Sequence, residues 1–172
     1  MIKLIIREAV PNDAVPLIKH IKTLTAEPGI CLPLAPDEFV YTTDEERKLL
    51  ADSHGSERSI FLVAKAGGRL VGELTCRVRA RSKAQMHVAV LGMTVGKGWR
   101  NKGIGSRLMQ RAVLWARQTK KIKRIELQVF ASNLPAIHLY QKFGFVVEGL
   151  RKKAVFRHGK FYDDLMMALL LD

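Results

Sequence analysis

The stretch from Met86 to Phe130 constrains this chain most. It reads as an apolar run, a basic glycine-bearing loop, an amphipathic helical repeat and a second apolar run. The near-continuous apolar character of "MHVAVLGMTV" predicts a central strand covered on both faces. In "GIGSRLMQRAVLWARQTKK", Ile104, Leu108, Ala112, Trp115, Ala116 and Thr119 recur on one helical face, while Arg107, Arg117 and Lys121 turn away from it. "RIELQVF" then predicts a strand. Strand, helix and strand in that order define an α/β chain.

The flanks extend the pattern. "IKLIIREA" predicts a first strand, and "AVPLIKHIKTLTAE" a helix with Pro16 in its first turn, where proline is tolerated. "PGICLPLAPDEF" is a loop. "TTDEERKLLADS" predicts a helix capped by Thr43 or Asp44. "SIFLVAKAGGRLVGELTCRVR" predicts a hairpin turning at Gly67-Gly68. "NLPAIHLYQKF" predicts a short helix capped by Asn133 and stopped by Gly144. The last segment predicts two long strands joined at His158-Gly159. No linker, repeat or low-complexity tract divides the 172 residues, so one domain spanning 1–172 with a mixed sheet is expected.

Composition excludes several classes. No apolar run has the roughly 18 residues a membrane helix needs, and the acids just behind "MIKLII" do not suit a secretory signal; a cytoplasmic location is the expectation. Cys31 and Cys76 lack metal spacing, and the five histidines never pair at a ligand-like interval, so no metal is expected. The net charge is +13, and residues 74–125 hold 14 Lys and Arg and no Asp or Glu. Such a segment attracts polyanions or simply solvates one face.

The loop "GKGWRNKGIGS" ends at a helix N-terminus, where unpaired amides and the helix dipole favour an anion. It is neither of the two common phosphate loops. Gly98 and Gly103 have the P-loop gap, but Ile104-Gly105 stand where Lys-Ser/Thr is required, and the three-glycine dinucleotide fingerprint is missing.

The spacing Arg100-x-x-Gly103-x-Gly105 resembles the acyl-CoA pyrophosphate loop of the GNAT superfamily of N-acetyltransferases. About thirty residues on, Asn133, Ala136, Tyr140, Gly144 and Phe145 resemble that family's second motif. The closing strands look like those of its ribosomal-protein and small-amine acetyltransferase branch. The resemblance implies a mostly antiparallel sheet, flanked by helices and splayed at its centre between "VLGMTV" and "IELQVF". It implies acetyl-CoA as cosubstrate, with its pantetheine arm along Met93, Thr94 and Val95. Its pyrophosphate would rest on Arg100, Asn101, Lys102, Gly103, Ile104, Gly105 and Ser106, and its end would lie near Asn133, Ala136 and Tyr140.

The activity implied is transfer of an acetyl group to a primary amine, of a protein N-terminus or a small molecule, by direct attack in a ternary complex. Tyr140 is the implied general acid, and the backbone N–H of Met93 or a neighbour the oxyanion donor. Many relatives carry a glutamate on the strand before the loop; this chain has none there. His87, at the start of that strand, is the candidate base by its pKa class. Glu126, Glu73 and a water relay are the alternatives. Asp163 and Asp164 either meet a cationic acceptor or form an exposed pair. Two other readings stand beside the enzyme: a CoA-binding protein without catalysis, and a nucleic-acid-binding module built on residues 74–125. The latter lacks the interleaved exposed aromatics such modules use. Ribosome contact and a homodimer are possible partnerships; no membrane partner is expected.

Overall fold

The computed structural model describes residues 3–34, 37–80 and 82–172. Its strands are β1 (Leu4–Glu8), β2 (Ser59–Ala66), β3 (Arg69–Val78), β4 (Val88–Val95), β5 (Arg124–Phe130), β6 (Val146–Arg157) and β7 (Lys160–Leu170). Its helices are α1 (Ala14–Thr25), α2 (Thr43–Ser53), α3 (Ile104–Thr119) and α4 (Leu134–Lys142). The strands form one sheet in the order β1-β2-β3-β4-β5-β7-β6, antiparallel throughout except where β4 meets β5. This is the mixed, mostly antiparallel α/β arrangement the sequence implies.

Strand alternation divides the core between the two faces of the sheet. Leu62, Ala64, Leu74 and Cys76 bury against Ile104, Leu108, Met109 and Ala112 of α3. Phe61 and Val63 face the other way, onto Ala14 and Leu17 of α1 and Leu50 of α2. Burying each large aliphatic side chain contributes about 1.5–3 kcal/mol. Removing Leu108, which is wholly buried, would cost about 2–5 kcal/mol through the cavity left behind.

Both hairpins turn where expected. Gly67 and Gly68 have φ of +55° and +79°, and His158 and Gly159 have φ of +49° and +74°. Two successive left-handed residues suit the right-handed twist of the flanking strands. The α2 cap is Thr42 rather than Thr43 or Asp44. Its hydroxyl accepts from the Glu45 amide, and the Glu45 carboxylate reaches back to the Thr42 N–H at 2.8 Å. That reciprocal box satisfies two orphan donors at once.

β4 departs from the expectation of full cover. It is central in the sheet, yet Gly92 is exposed and Met93, Thr94 and Val95 are half-buried. The reason is its pairing with β5, which holds for Val88, Ala89 and Val90 against Arg124, Ile125 and Glu126 and no further. Beyond Val90 the two parallel strands diverge, and the far half of β4 faces a cleft.

The segregation of charge along the chain is partly undone in space. Arg100 pairs with Glu27, Arg124 with Glu126 and Glu148, and Arg111 donates to the Ile6 carbonyl. Cations from the acid-free segment thus tie it to the rest of the fold.

Candidate active site

The divergence of β4 and β5 opens a cleft of about 1110 Å³. Gly92–Val95 form one wall, Glu126–Phe130 the other, and residues 100–106 with α4 close one end. Residues 29–33, between α1 and α2, lie along its rim.

At the closing end the backbone is set up for an anion. Asn101 and Gly103 both have left-handed φ, +60° and +75°, and Gly103 is the residue preceding α3. The two glycines serve different ends. A Cβ on Gly103 would meet nothing within 4 Å, so its need is conformational. A Cβ on Gly105 would stand 3.0 Å from Leu139 Cδ2 and 3.5 Å from Met93 Cε, so Gly105 lets α3 approach α4 and β4.

The basic side chains of this loop are engaged within the fold. Arg100 donates to Glu27 from both terminal nitrogens, at 2.7 and 2.8 Å, and from Nε to the Val95 carbonyl at 3.0 Å. Lys102 Nζ donates to the Gly98 carbonyl at 2.8 Å and lies over the Trp99 ring. Arg100 and Lys102 thus hold the shape of a loop whose left-handed turn leads into the first amides of α3, which lack intrahelical partners.

Asn133 caps α4 as expected, its side chain accepting from the Ala136 amide at 3.3 Å. The helix carries Tyr140 into the cleft. Tyr140 is buried, its ring 5.9 Å from that of Phe145, and its hydroxyl makes no hydrogen bond among the described residues. Burial, aided by the charge of Glu73, pushes its pKa up to about 12. It is a protonated donor at neutral pH.

Three carboxylates lie on or behind the wall. Glu73 sits opposite Thr94 in the β3–β4 register and is buried. Thr94 Oγ1 donates to it at 2.9 Å, and His20 Nε2 lies 3.1 Å from the same hydroxyl. Because that hydroxyl's proton points to Glu73, the His20 ring is the donor in its own contact. Burial first, then the charge of Arg100, lowers the His20 pKa to about 4, so the ring is neutral. Burial raises Glu73 to about 7, with the Thr94 hydrogen bond opposing and Glu46 adding to the rise. Asp164 is buried and gripped by Arg151 through both carboxylate oxygens. Glu126 lines the cleft, holds Arg124 Nε through Oε2 at 3.1 Å, and has Oε1 without a hydrogen bond among the described residues.

His87 requires correction as a site residue. It stands exposed in the turn ahead of β4, its carbonyl accepts from Lys123 and Arg124, and it lies outside the cleft lining. The strand's first residue is at the closed, hydrogen-bonded end of the fork, whereas the cleft opens at the other end. Asp163 and Asp164 are likewise no exposed pair: Asp164 is buried, and Asp163 accepts from the Lys153 amide at 2.7 Å across a bulge. Nothing in the sequence around His20 or Glu27 marks them as neighbours of the cleft. A lone Glu73 between apolar residues of a strand is a visible signal, but its partners lie on other elements.

A sheet splayed beside a loop-to-helix anion cradle, with a protonated tyrosine between them, defines an acyl-CoA-dependent transferase. Residues 29–145 match the family model described as the acetyltransferase (GNAT) family. The chain belongs to that family. It is 36% identical over 172 residues, 98% of each chain, to the L-amino acid N-acetyltransferase AaaT of Escherichia coli. The acetyltransferase of GNAT family from Streptococcus pneumoniae superposes with a TM-score of 0.93 at 32% identity, covering 99% of this chain and 100% of that one. The yncA structure of Salmonella typhimurium, a putative acetyltransferase determined with acetyl-CoA, shares the fold, with a TM-score of 0.84 at 18% identity over 98% of this chain and 94% of that one. Acetyl transfer from acetyl-CoA to an amine is the activity of this protein, without need of a metal; among the described residues no cluster of ligating side chains is suited to one.

Proposed function

We propose that the acceptor is the α-amine of an L-amino acid and that the cleft performs the transfer in a ternary complex. The observation carrying this reading is the cleft itself. It brings Tyr140, Glu126 and the open edge of β4 together within reach of the cradle at residues 100–106. The full-length likeness to an L-amino acid N-acetyltransferase supports the choice of acceptor.

The pantetheine arm lies along Met93, Thr94 and Val95, and the diphosphate rests on the amides of residues 101–106. The Val95 carbonyl is held by Arg100, so the arm uses the other backbone groups of that edge. Asn133 and Ala136, bonded to each other at the start of α4, flank the arm's reactive end.

The acceptor enters as an ammonium and must lose a proton before attack. Glu126 takes it. Asp164 is held bidentately by Arg151 and Glu73 is sealed behind Thr94, whereas Glu126 has an open oxygen on the cleft. The nitrogen then bonds to the thioester carbonyl carbon, and the oxyanion is met by the Met93 amide. The C–S bond breaks, the sulfur takes the Tyr140 proton, and the nitrogen's second proton restores the phenol. The products are the N-acetyl amino acid and CoA thiol, with one proton left on Glu126.

The reaction is cytoplasmic in this reading, where acetyl-CoA is abundant; no helix among the described residues is long and apolar enough to cross a membrane. The homodimer reading rests on the β6–β7 hairpin, where Leu150, Phe156 and Phe161 are exposed, and sedimentation velocity decides it. The acceptor is tested by incubating the protein with acetyl-CoA and a mixed panel of L-amino acids, polyamines, aminoglycosides and N-terminal peptides, then weighing the products. Mass gain confined to amino acids is expected. Acetylation of peptides or polyamines in preference to amino acids overturns this choice.

A further inference from the structure

We propose that Arg79, with Arg77 beside it, binds the α-carboxylate of the acceptor. This rests on the amino-acid reading above and names the side chains that would enforce it.

The register of the sheet places the parts. Thr75 pairs with Gly92 and Arg77 with Val90 across β3 and β4, and Val90 pairs with Glu126 across β4 and β5. Alternation puts Glu73, Thr75 and Arg77 on one face of β3, and Arg79, two residues on, continues that series just past the strand's end. Val90, Gly92 and Glu126 share that face. Arg77 and Glu126 therefore flank Val90, two strand spacings apart, about 10 Å between Cα atoms. Both side chains rise from the same surface at the mouth of the fork. A zwitterion lying across Val90 would put its ammonium toward Glu126 and its carboxylate toward the arginines.

Charge supports the assignment. Arg79 lines the cleft, and neither Arg77 nor Arg79 makes an ion pair or a side-chain hydrogen bond among the described residues. Arg100, the other guanidinium of the lining, is held by Glu27. Arg77 Nε is buried and without a hydrogen-bond partner among the described residues. Desolvation, and then the charge of Arg77, lowers the pKa of Arg79. Arg77 lies within charge range of the buried Glu46 carboxyl of α2 and outside the cleft lining, so Arg79, which lines the cleft beside it, is the guanidinium left to meet an anion there. The planar fork of arginine matches a carboxylate, and such charge-assisted pairs are among the stronger hydrogen bonds. Thr75, also on the lining and on the arginines' strand, adds a hydroxyl on the side where the carboxylate would lie.

The test compares kcat/KM for L-methionine and L-phenylalanine with that for their carboxamides, in the parent protein and in Arg79→Gln, with Arg77→Gln as a second variant. Acetyl-CoA affinity, measured by calorimetry, certifies that each variant is folded. The parent is expected to prefer the acid about 10- to 100-fold, the worth of a charge-assisted contact, and Arg79→Gln is expected to erase that preference through KM. A preference that survives in both variants overturns the assignment and leaves the amino-acid reading standing. Equal use of acid and carboxamide by the parent overturns it too, while amine acetylation stands. No acetylation of any amino acid removes the reading on which it rests.

Discussion

Arg100 and Glu27 join the closed end of the cleft to the segment that leads into its rim. Arg100 follows β4 in the anion loop, Glu27 follows α1, and their double hydrogen bond spans 73 residues of sequence at 2.7 and 2.8 Å. Arg157 fastens the same rim from the end of β6, donating to the carbonyls of Thr25, Ile30 and Leu32. The loop ahead of α3 and the loop after α1 are therefore tied into one unit.

Glu27→Gln should loosen both. The Arg100 carboxylate partner is lost, so the KM values for acetyl-CoA and for the acceptor should rise together, by about 5- to 30-fold if the pair contributes ~1–2 kcal/mol at this partly exposed position. Initial rates over a two-substrate grid decide it. A rise confined to one substrate would show that the two loops are independent.

The glycines of the anion loop should respond differently to alanine. Gly103→Ala forces a side chain into a left-handed conformation, φ +75°, at a cost of about 1–2 kcal/mol. Gly105→Ala meets the end of a flexible leucine at 3.0 Å, which can give way, so its stability loss should be smaller, roughly 1 kcal/mol. Urea unfolding separates the two, and the reverse order would place the constraint in packing rather than in the turn.

Glu73 makes a pH prediction. Its folded pKa, raised to about 7 by burial, lies above the ordinary carboxylate value near 4.5. Between those values the folded state binds more protons than the unfolded one. Its contribution is therefore fully present below about pH 4.5 and lost as pH rises through about 7. Glu73→Gln, uncharged throughout, should flatten that decline. Melting temperatures from pH 5 to 8 check it, and parallel curves for parent and variant would contradict the buried, proton-holding state.

Glu126→Gln should lower kcat/KM for the acceptor by about 100-fold, the usual worth of a general base, with little change in acetyl-CoA affinity. Arg124 keeps Glu148 as a partner in the variant, so the fork should hold. An unchanged rate would return the proton to solvent.

Local chemistry was legible in the sequence; distant pairing was not. The two hairpin turns, the Asn133 cap and the Gly103 turn follow from residue types with a few steric or hydrogen-bonding options, and all stand where expected. The α2 cap was displaced by one residue because Thr42, Thr43 and Asp44 are all good caps, and the Glu45 side chain selects Thr42. Periodicity predicts β4 as central and covered, yet its outer half is open, since an apolar run alone cannot say that its neighbour will diverge; the family resemblance is what implies the splay, and the sheet has it. Arg100 reads as a free cation beside a glycine loop because its partner lies far away in the chain. His20, Thr94 and Glu73 come from three elements, and no spacing along the sequence joins them.

Thiol release from acetyl-CoA with an L-amino acid acceptor, in the parent protein and in Tyr140→Phe, tests the proposed transfer at its chemical step. The phenol is buried, without a hydrogen bond among the described residues, and held protonated with its pKa at about 12; in the proposed mechanism it protonates the leaving sulfur. Turnover in the parent and a fall in kcat of about 100- to 10,000-fold in the variant are expected, with acetyl-CoA still bound. Turnover that survives the loss of the hydroxyl would contradict that mechanism.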